Sequence, residues 1–337
     1  MSSMPSATPS PAPGADVRPT EEPELSVVIP VCDEELTLPA LIERTLATCR
    51  GMSRSFELIL VNDGSRDASP QILREAATRE EELVVINFNR NYGQHAAVYA
   101  GFQASRGEIV VTLDADLQNP PEEIPRLVEK MAEGFDVVGS VRAQRRDSLP
   151  RRLASRLMNR VTCHATGAQL SDYGCMLRAY RRKVVDALCE LREISTFVPV
   201  LADMFARRVT EITVAHCERS QGSSKYGLLQ LIRLQFDLLT GFTLLPLRLT
   251  MGLGVVMSVL SFGAALALAI GRLFLGAEWA ASGVFTLFAG VFFFLGVLLF
   301  SVGLLGEYVG RIYMVVRRRP RYVIREVLRS ATPGPGT

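Results

Sequence analysis

Two aspartates one residue apart close an apolar run. Residues 110–125 read VVTLDADLQNPPEEIP, with Asp114 and Asp116 where the apolar residues stop. Burying carboxylates is costly unless they are paired or hold a cation. Residues i and i+2 of an extended strand point to one face, so Asp114 and Asp116 are expected to converge on one ion. Carboxylate oxygens suit a hard cation, Mg²⁺ or Mn²⁺. Such ions commonly take one or two carboxylates and complete their shell with water and substrate phosphates. The cargo expected at this strand end is therefore a nucleoside diphosphate group. A D-x-D by itself is a weak motif, and its weight depends on the elements around it.

Those elements are legible. β-Branched runs at 25–31, 56–62, 83–88, 108–114 and 136–141 alternate with helical patterns such as 36–49 and 69–81. Strands buried on both faces read as continuous apolar runs, and their alternation with helices implies parallel βαβ units. The expected fold class is α/β, a doubly wound, mostly parallel sheet, with ligands bound beyond the carboxyl ends of its strands. Polar loops fall there in succession: CDEE after the first strand, NDGSRD after the second, NRNYGQH after the third and DADLQN after the fourth. Asp63 can accept a hydrogen bond from a base or ribose, or close an Asx turn with Gly64 and Ser65. Neither G-x-G-x-x-G nor G-x-x-x-x-G-K-[ST] is present, which removes the main support for dinucleotide and P-loop readings.

After residue 248 the composition changes. Segments 249–270 and 284–306 carry no charge, and at ~1.5 Å per residue each can cross a hydrocarbon core of about 30 Å. Arg233 and Arg248 precede this hairpin and Arg311, Arg317, Arg318, Arg319 and Arg321 follow it, against Arg272 in the connecting loop. The positive-inside bias then places the α/β domain and both termini on the cytoplasmic face. Residues 225–248 read as an interfacial segment and 307–328 as a cytoplasmic helix or strand. Residues 142–161 carry seven arginines with Leu149, Leu153 and Leu157 on one face, a basic amphipathic helix suited to lipid head groups or a phosphate.

The totals agree with this division. At 337 residues the chain has room for two units, and a net charge of +2 gives no reason to expect nucleic acid as a partner. Six cysteines without a C-x-x-C pair, in a long chain with no secretory signal, read as reduced thiols. Three histidines sharing no motif argue against zinc. Residues 1–24 and 329–337, rich in Pro, Ser, Ala and Gly, read as disordered tails.

The stretches VVIPVCDEE, ILVNDGSRD, DADLQNPPEE and DYGCMLRAY together resemble the inverting family-2 glycosyltransferases of the GT-A fold. With two spans after the catalytic domain (25–224), the chain is similar to the polyprenyl-phosphate members. Further stretches, NRNYGQH, STFVPVLADMFARR and GLLGEYVGRIY, extend the likeness over roughly residues 25–328. The resemblance implies that Asp114, Asp116 and Gln118 surround a Mg²⁺ or Mn²⁺ ion. It implies that Pro30, Glu34 and Asp63 line a uridine pocket with Gly93 on the neighbouring loop, and that Asp172 occupies the position of a general base. It departs at Cys32-Asp33, where the family usually has Tyr-Asn, and at Asn62, the first Asp of its D-D-G-S.

The activity implied is inverting transfer of a sugar from a UDP-sugar to undecaprenyl phosphate at a bacterial inner membrane. An aminoarabinose-type sugar for lipid A modification is favoured, with a glucose- or mannose-type hexosyltransferase as the alternative and a homo-tetramer as the assembly of relatives. The acceptor phosphate needs cations, and arginine suits phosphate by its bidentate geometry. Arg142, Arg145, Arg219 and Lys225 are the candidates. A phosphate monoester is mostly a dianion at neutral pH, its second pKa being about 6, so Asp172 can serve as base or instead orient an arginine or the sugar. A processive synthase would carry Q-x-x-R-W, yet the single tryptophan, Trp279, lies between the spans. A non-catalytic nucleotide-sugar sensor would keep the aspartates without needing the arginines.

Overall fold

The computed structural model of the chain describes residues 22–142, 175–191, 198–215, 244–275, 284–317 and 320–330. Each expected apolar run is a strand: β1 (Leu25–Val31), β2 (Phe56–Asn62), β3 (Leu83–Phe88), β4 (Ile109–Thr112) and β5 (Val137–Arg142). β1 and β3 are buried at every position, and β2 at all but its first, as strands covered on both faces must be. Between them lie α1 (Leu38–Arg50), α2 (Ser69–Arg79), α3 (Gln94–Ala104) and α4 (Ile124–Ala132). α1 starts two residues later than its periodicity suggests, because the Thr37 and Leu38 N–H groups both close onto the Glu34 carbonyl. Beyond them come β6 (Arg178–Arg181), α5 (Arg182–Glu190), α6 (Val198–Phe205), β7 (Val209–Val214), α7 (Leu245–Leu275), α8 (Val284–Val316) and β8 (Ile324–Arg329).

One sheet holds all eight strands in the order β7-β5-β6-β4-β1-β2-β3-β8. β1 is parallel to β2 and β4, β2 to β3, and β5 to β7, while β6 and β8 run antiparallel to their neighbours. This is the doubly wound, mostly parallel GT-A type of sheet. Apolar layers cover both faces: Val27, Leu41, Leu58, Leu73 and Leu127 on one, and Val28, Ile59, Val98, Phe102 and Val184 on the other. The winding reverses between β1 and β4, so their carboxyl ends flank the crevice in which such sheets bind ligands.

The structure corrects three expectations. β4 stops at Thr112, and residues 115–119 turn, with Leu117 at φ 57°. Asp114, Asp116 and Gln118 therefore do not share one face of an extended strand. The stretch 307–328 is neither one helix nor one strand: α8 runs on to Val316, and β8 then joins the sheet beside β3. The sheet thus takes its eighth strand from beyond the long helices rather than closing before residue 224. The expected segments 142–161 and 225–248 lie largely outside the described residues; the last residues of the second begin α7.

α7 and α8 each contain a segment long and apolar enough to cross a membrane, Pro246–Gly263 and Phe293–Val316. Their large side chains face outward, with Phe262 72 % and Phe300 65 % exposed. A helix in a soluble core would hide them.

Candidate active site

Pro30 lies where the pairing of β1 with β4 stops. The Leu113 N–H donates to the Val28 carbonyl and the Asp63 N–H to the Val31 carbonyl. Alternation along the strand therefore turns the backbone of residue 30 toward β4, which has already ended at Thr112. The β1–β4 ladder has its last pair at Val28–Thr112, next to the point where Pro30 has no N–H to donate.

Asp63, next in line at the end of β2, does not close the turn its sequence context offered. It is buried, and its Oδ1 and Oδ2 accept the N–H groups of Tyr92 (2.6 Å) and Gly93 (2.8 Å). The turn is held instead by Asn62, whose Oδ1 accepts the N–H of Ser65, three residues on, at 3.0 Å. Burial pushes the Asp63 carboxyl above its ordinary value, and the two loop N–H groups oppose that shift. Asp63 therefore fixes the β3–α3 loop against β2. Gly93, at φ 96°, has a conformation that only glycine adopts freely.

From that loop, Gln94 Nε2 donates to Asp114 Oδ1 at 2.6 Å, joining the start of α3 to the end of β4. Asp114, Asp116 and Gln118 are all half-buried. The Gln118 N–H donates to Asp116 Oδ1 at 3.1 Å, so a turn rather than a strand pleat sets the second aspartate. The left-handed backbone at Leu117 stores about 1–2 kcal/mol of strain, a cost concentrated at functional turns. The turn is held from behind: buried Asn119 receives the Cys175 thiol, Cys175 contacts Ser140 Oγ at 2.8 Å, and Glu123 Oε1 accepts the Ala215 N–H. Arg44 reaches Glu122 through two hydrogen bonds of 2.9 and 2.7 Å, tying α1 to the same loop.

Glu34 holds its own loop: its Oε2 accepts from Thr37 Oγ1, and its N–H donates to Ser69 Oγ. The loops after β1 and β2 are clasped reciprocally. The Arg66 N–H donates to Asp33 Oδ1 and the Asp33 N–H to Ser65 Oγ, while the Ala68 N–H donates to Glu35 Oε2 and the Glu35 N–H to Asp67 Oδ2. The first departure from the family pattern falls here: Asp33, in this contact, takes a φ of 55°, and Cys32 Sγ beside it accepts from Asn91 Nδ2 of the β3–α3 loop at 3.2 Å.

A chain of contacts thus joins four strand ends, from Val31 through Asp63 and Gly93-Gln94 to Asp114 and Asp116. Sequence reasoning singled out Asp63, Gly93, Asp114 and Asp116 in it; Val31 and Gln94, and Asn119 and Cys175 behind the turn, stood unremarked inside quoted stretches. Arg142 ends β5, which runs parallel to β4, so its backbone lies on this same edge. Arg145, Asp172, Arg219 and Lys225 lie outside the described residues. Among the described residues no group of three or more His, Cys, Asp or Glu side chains is placed to hold a metal. Two half-buried carboxylates at Asp114 and Asp116 nevertheless fit a Mg²⁺ or Mn²⁺ ion whose shell is shared with phosphates.

His95 follows Gln94 and is half-buried, and burial pushes its imidazole down to about 4. It is neutral at pH 7. The unfolded chain binds this proton near 6.5 and the folded one only near 4, so its share of stability is complete above 6.5 and is lost as pH falls between those values. The unfolding temperature should decline across that window, and His95→Gln should flatten the decline.

Residues 26–189 match the family described as Glycosyl transferase family 2. The chain is 56% identical over 310 residues to the undecaprenyl-phosphate 4-deoxy-4-formamido-L-arabinose transferase of Pectobacterium carotovorum subsp. carotovorum, covering 92% of this chain and 95% of that one. It is also 56% identical over 308 residues to the protein of the same name in Pseudomonas paraeruginosa, covering 91% of each. Among solved structures it resembles glucosyl-3-phosphoglycerate synthase from Mycobacterium tuberculosis in complex with Mn²⁺, uridine-diphosphate and glucosyl-3-phosphoglycerate. That likeness has a TM-score of 0.48 and 18% identity, over 65% of this chain and 78% of that one. With relatives more than half identical along nearly their whole length, this chain belongs to glycosyl transferase family 2.

Proposed function

We propose that the protein transfers 4-deoxy-4-formamido-L-arabinose from its UDP-linked donor to undecaprenyl phosphate, with inversion at the anomeric carbon, for lipid A modification. The near full-length likeness to relatives bearing that name carries the reading. The linked strand ends at the winding reversal supply a place for the donor. An acceptor phosphate oxygen forms the new bond to the anomeric carbon, while the bond to UDP breaks and its electron pair leaves with the diphosphate. Asp114 and Asp116, with Gln118 beside them, would hold a Mg²⁺ or Mn²⁺ ion, which supplies positive charge to the departing diphosphate. Pro30, Glu34, Asp63 and Gly93 shape the uridine end. Asp172 serves as general base or orients an acceptor-side arginine or the sugar, and little base help is needed because the acceptor is mostly a dianion already.

The long helices are read as a hairpin spanning the bacterial inner membrane, with the α/β domain and both termini cytoplasmic. β8 supports this reading: the chain leaves the sheet after β7 and rejoins it beside β3, so both ends of the hairpin lie on one side. β8 is the last strand among the described residues, an edge where a second copy can add, and a homo-tetramer is part of the proposal.

Purified protein given undecaprenyl phosphate, Mn²⁺ and one UDP-sugar at a time tests the assignment. Product from the formamido-arabinose donor alone supports it, and product from UDP-glucose moves the protein to a hexosyltransferase role. UDP binding without any transfer would instead favour a sensor. Arg142→Ala and Arg219→Ala are expected to raise the acceptor KM about 10–100-fold, the worth of one charge-assisted bond of about 1.5–3 kcal/mol. Unchanged acceptor KM in both would remove these arginines from the acceptor site.

A further inference from the structure

We propose that Glu326, on the strand that returns from the long helices, is a positioning residue that sets the direction of a buried amide relay holding the donor loop. Asn62, Asn87 and Glu326 are register partners in one row across β2, β3 and β8. The two amides are almost fully buried, at 4% and 5% exposure. Asn87 Nδ2 donates to Glu326 Oε1 at 3.2 Å, Asn62 Nδ2 donates to Asn87 Oδ1 at 2.8 Å, and the Ser65 N–H donates to Asn62 Oδ1 at 3.0 Å. Arg74 on α2 donates to the same Glu326 oxygen at 2.8 Å.

The direction of the row follows from its outer end. A carboxylate only accepts, so Asn87 must turn its NH₂ toward Glu326 and its oxygen toward Asn62. Asn62 must then donate to that oxygen, which leaves its own oxygen for the Ser65 N–H. A charge 239 residues from Asn87 in the chain thereby decides which atom meets the loop that carries Asp63. This also accounts for Asn62 itself. An aspartate there would set its carboxylate against the Asn87 oxygen, so Asn62 and Glu326 belong together. The functional part of the proposal rests on the reading that loop 62–67 belongs to the donor site.

The test reverses the relay. Glu326→Lys presents only donors, which turns Asn87 and then Asn62 around and leaves the Ser65 N–H facing an NH₂ group. Asn62→Asp alone opposes the Asn87 oxygen. Each is expected to raise the donor KM about tenfold with kcat little changed, one buried hydrogen bond being worth about that factor, and to speed hydrogen exchange in the peptide spanning 62–69. The double variant, Asn62→Asp with Glu326→Lys, rebuilds a continuous row in the opposite sense. The new ammonium donates to the Asn87 oxygen, the Asn87 NH₂ donates to the new carboxylate, and that carboxylate still accepts the Ser65 N–H. Its donor KM should return to within about threefold of wild type. Glu326→Gln keeps an acceptor and should also stay within about threefold. Additive losses in the double variant, or unchanged exchange in Glu326→Lys, overturn the relay. Faster exchange with an unaltered donor KM overturns the loop's part in donor binding, and a donor scan without transfer overturns the activity itself.

Discussion

Asp116→Asn is expected to lower the transfer rate by about 10³-fold or more while leaving the fold intact. The amide keeps the oxygen that accepts the Gln118 N–H, so the 115–119 turn survives. What disappears is one of two carboxylates able to hold a divalent ion against the leaving diphosphate, and removing charge stabilisation of that kind costs several kcal/mol in the transition state. Asp114→Asn should act in the same way, since its remaining oxygen can still accept from Gln94. The measurement is UDP release and lipid-linked product at saturating Mn²⁺, with an unfolding curve as the control. Chelation of wild-type protein should abolish transfer, and added Mn²⁺ or Mg²⁺ should restore it. Transfer within tenfold of wild type in both variants would remove the metal assignment.

Gly64→Ala is expected to destabilise the protein by about 3 kcal/mol or more and to weaken donor binding with it. Gly64 has φ 67°, and an added Cβ would lie 2.4 Å from the Arg90 carbonyl carbon and 2.5 Å from the Asn91 nitrogen. Those are backbone atoms of the β3–α3 loop, which cannot rotate away as a side chain would. The penalty joins the left-handed strain of alanine, about 1–2 kcal/mol, to overpacking of a similar or larger size. The displaced stretch runs straight into Tyr92 and Gly93, whose N–H groups Asp63 holds. Gly93→Ala offers the contrast: its φ is 96°, but an added Cβ meets nothing within 4 Å, so only strain remains. Denaturant unfolding should rank the two in that order. Equal losses would mean that the close approach of the two loops contributes nothing.

The fold and the site differ in how much local sequence could say about them. Continuous apolar runs specify strands covered on both faces, and β1, β2 and β3 begin and end where those runs do. Two long uncharged runs likewise specify the helices that expose Phe262 and Phe300. Asp63, Gly93, Asp114 and Asp116 were recognisable because strand-end polar loops recur in step with the βα period. Tertiary structure alone decided their roles. Asp63 grips a loop thirty residues away rather than its own turn. Asp116 is aimed by a left-handed Leu117 that no propensity favours. β8 is a short segment, half apolar and half charged, whose partner strand lies more than two hundred residues upstream, and it joins Glu326 to Asn87 and Asn62. The physical reason is the range of the forces involved. Apolar periodicity is written into neighbouring residues, whereas a buried hydrogen bond between distant strands exists only after the chain has closed the loop between them, and its direction depends on which group stands at the far end.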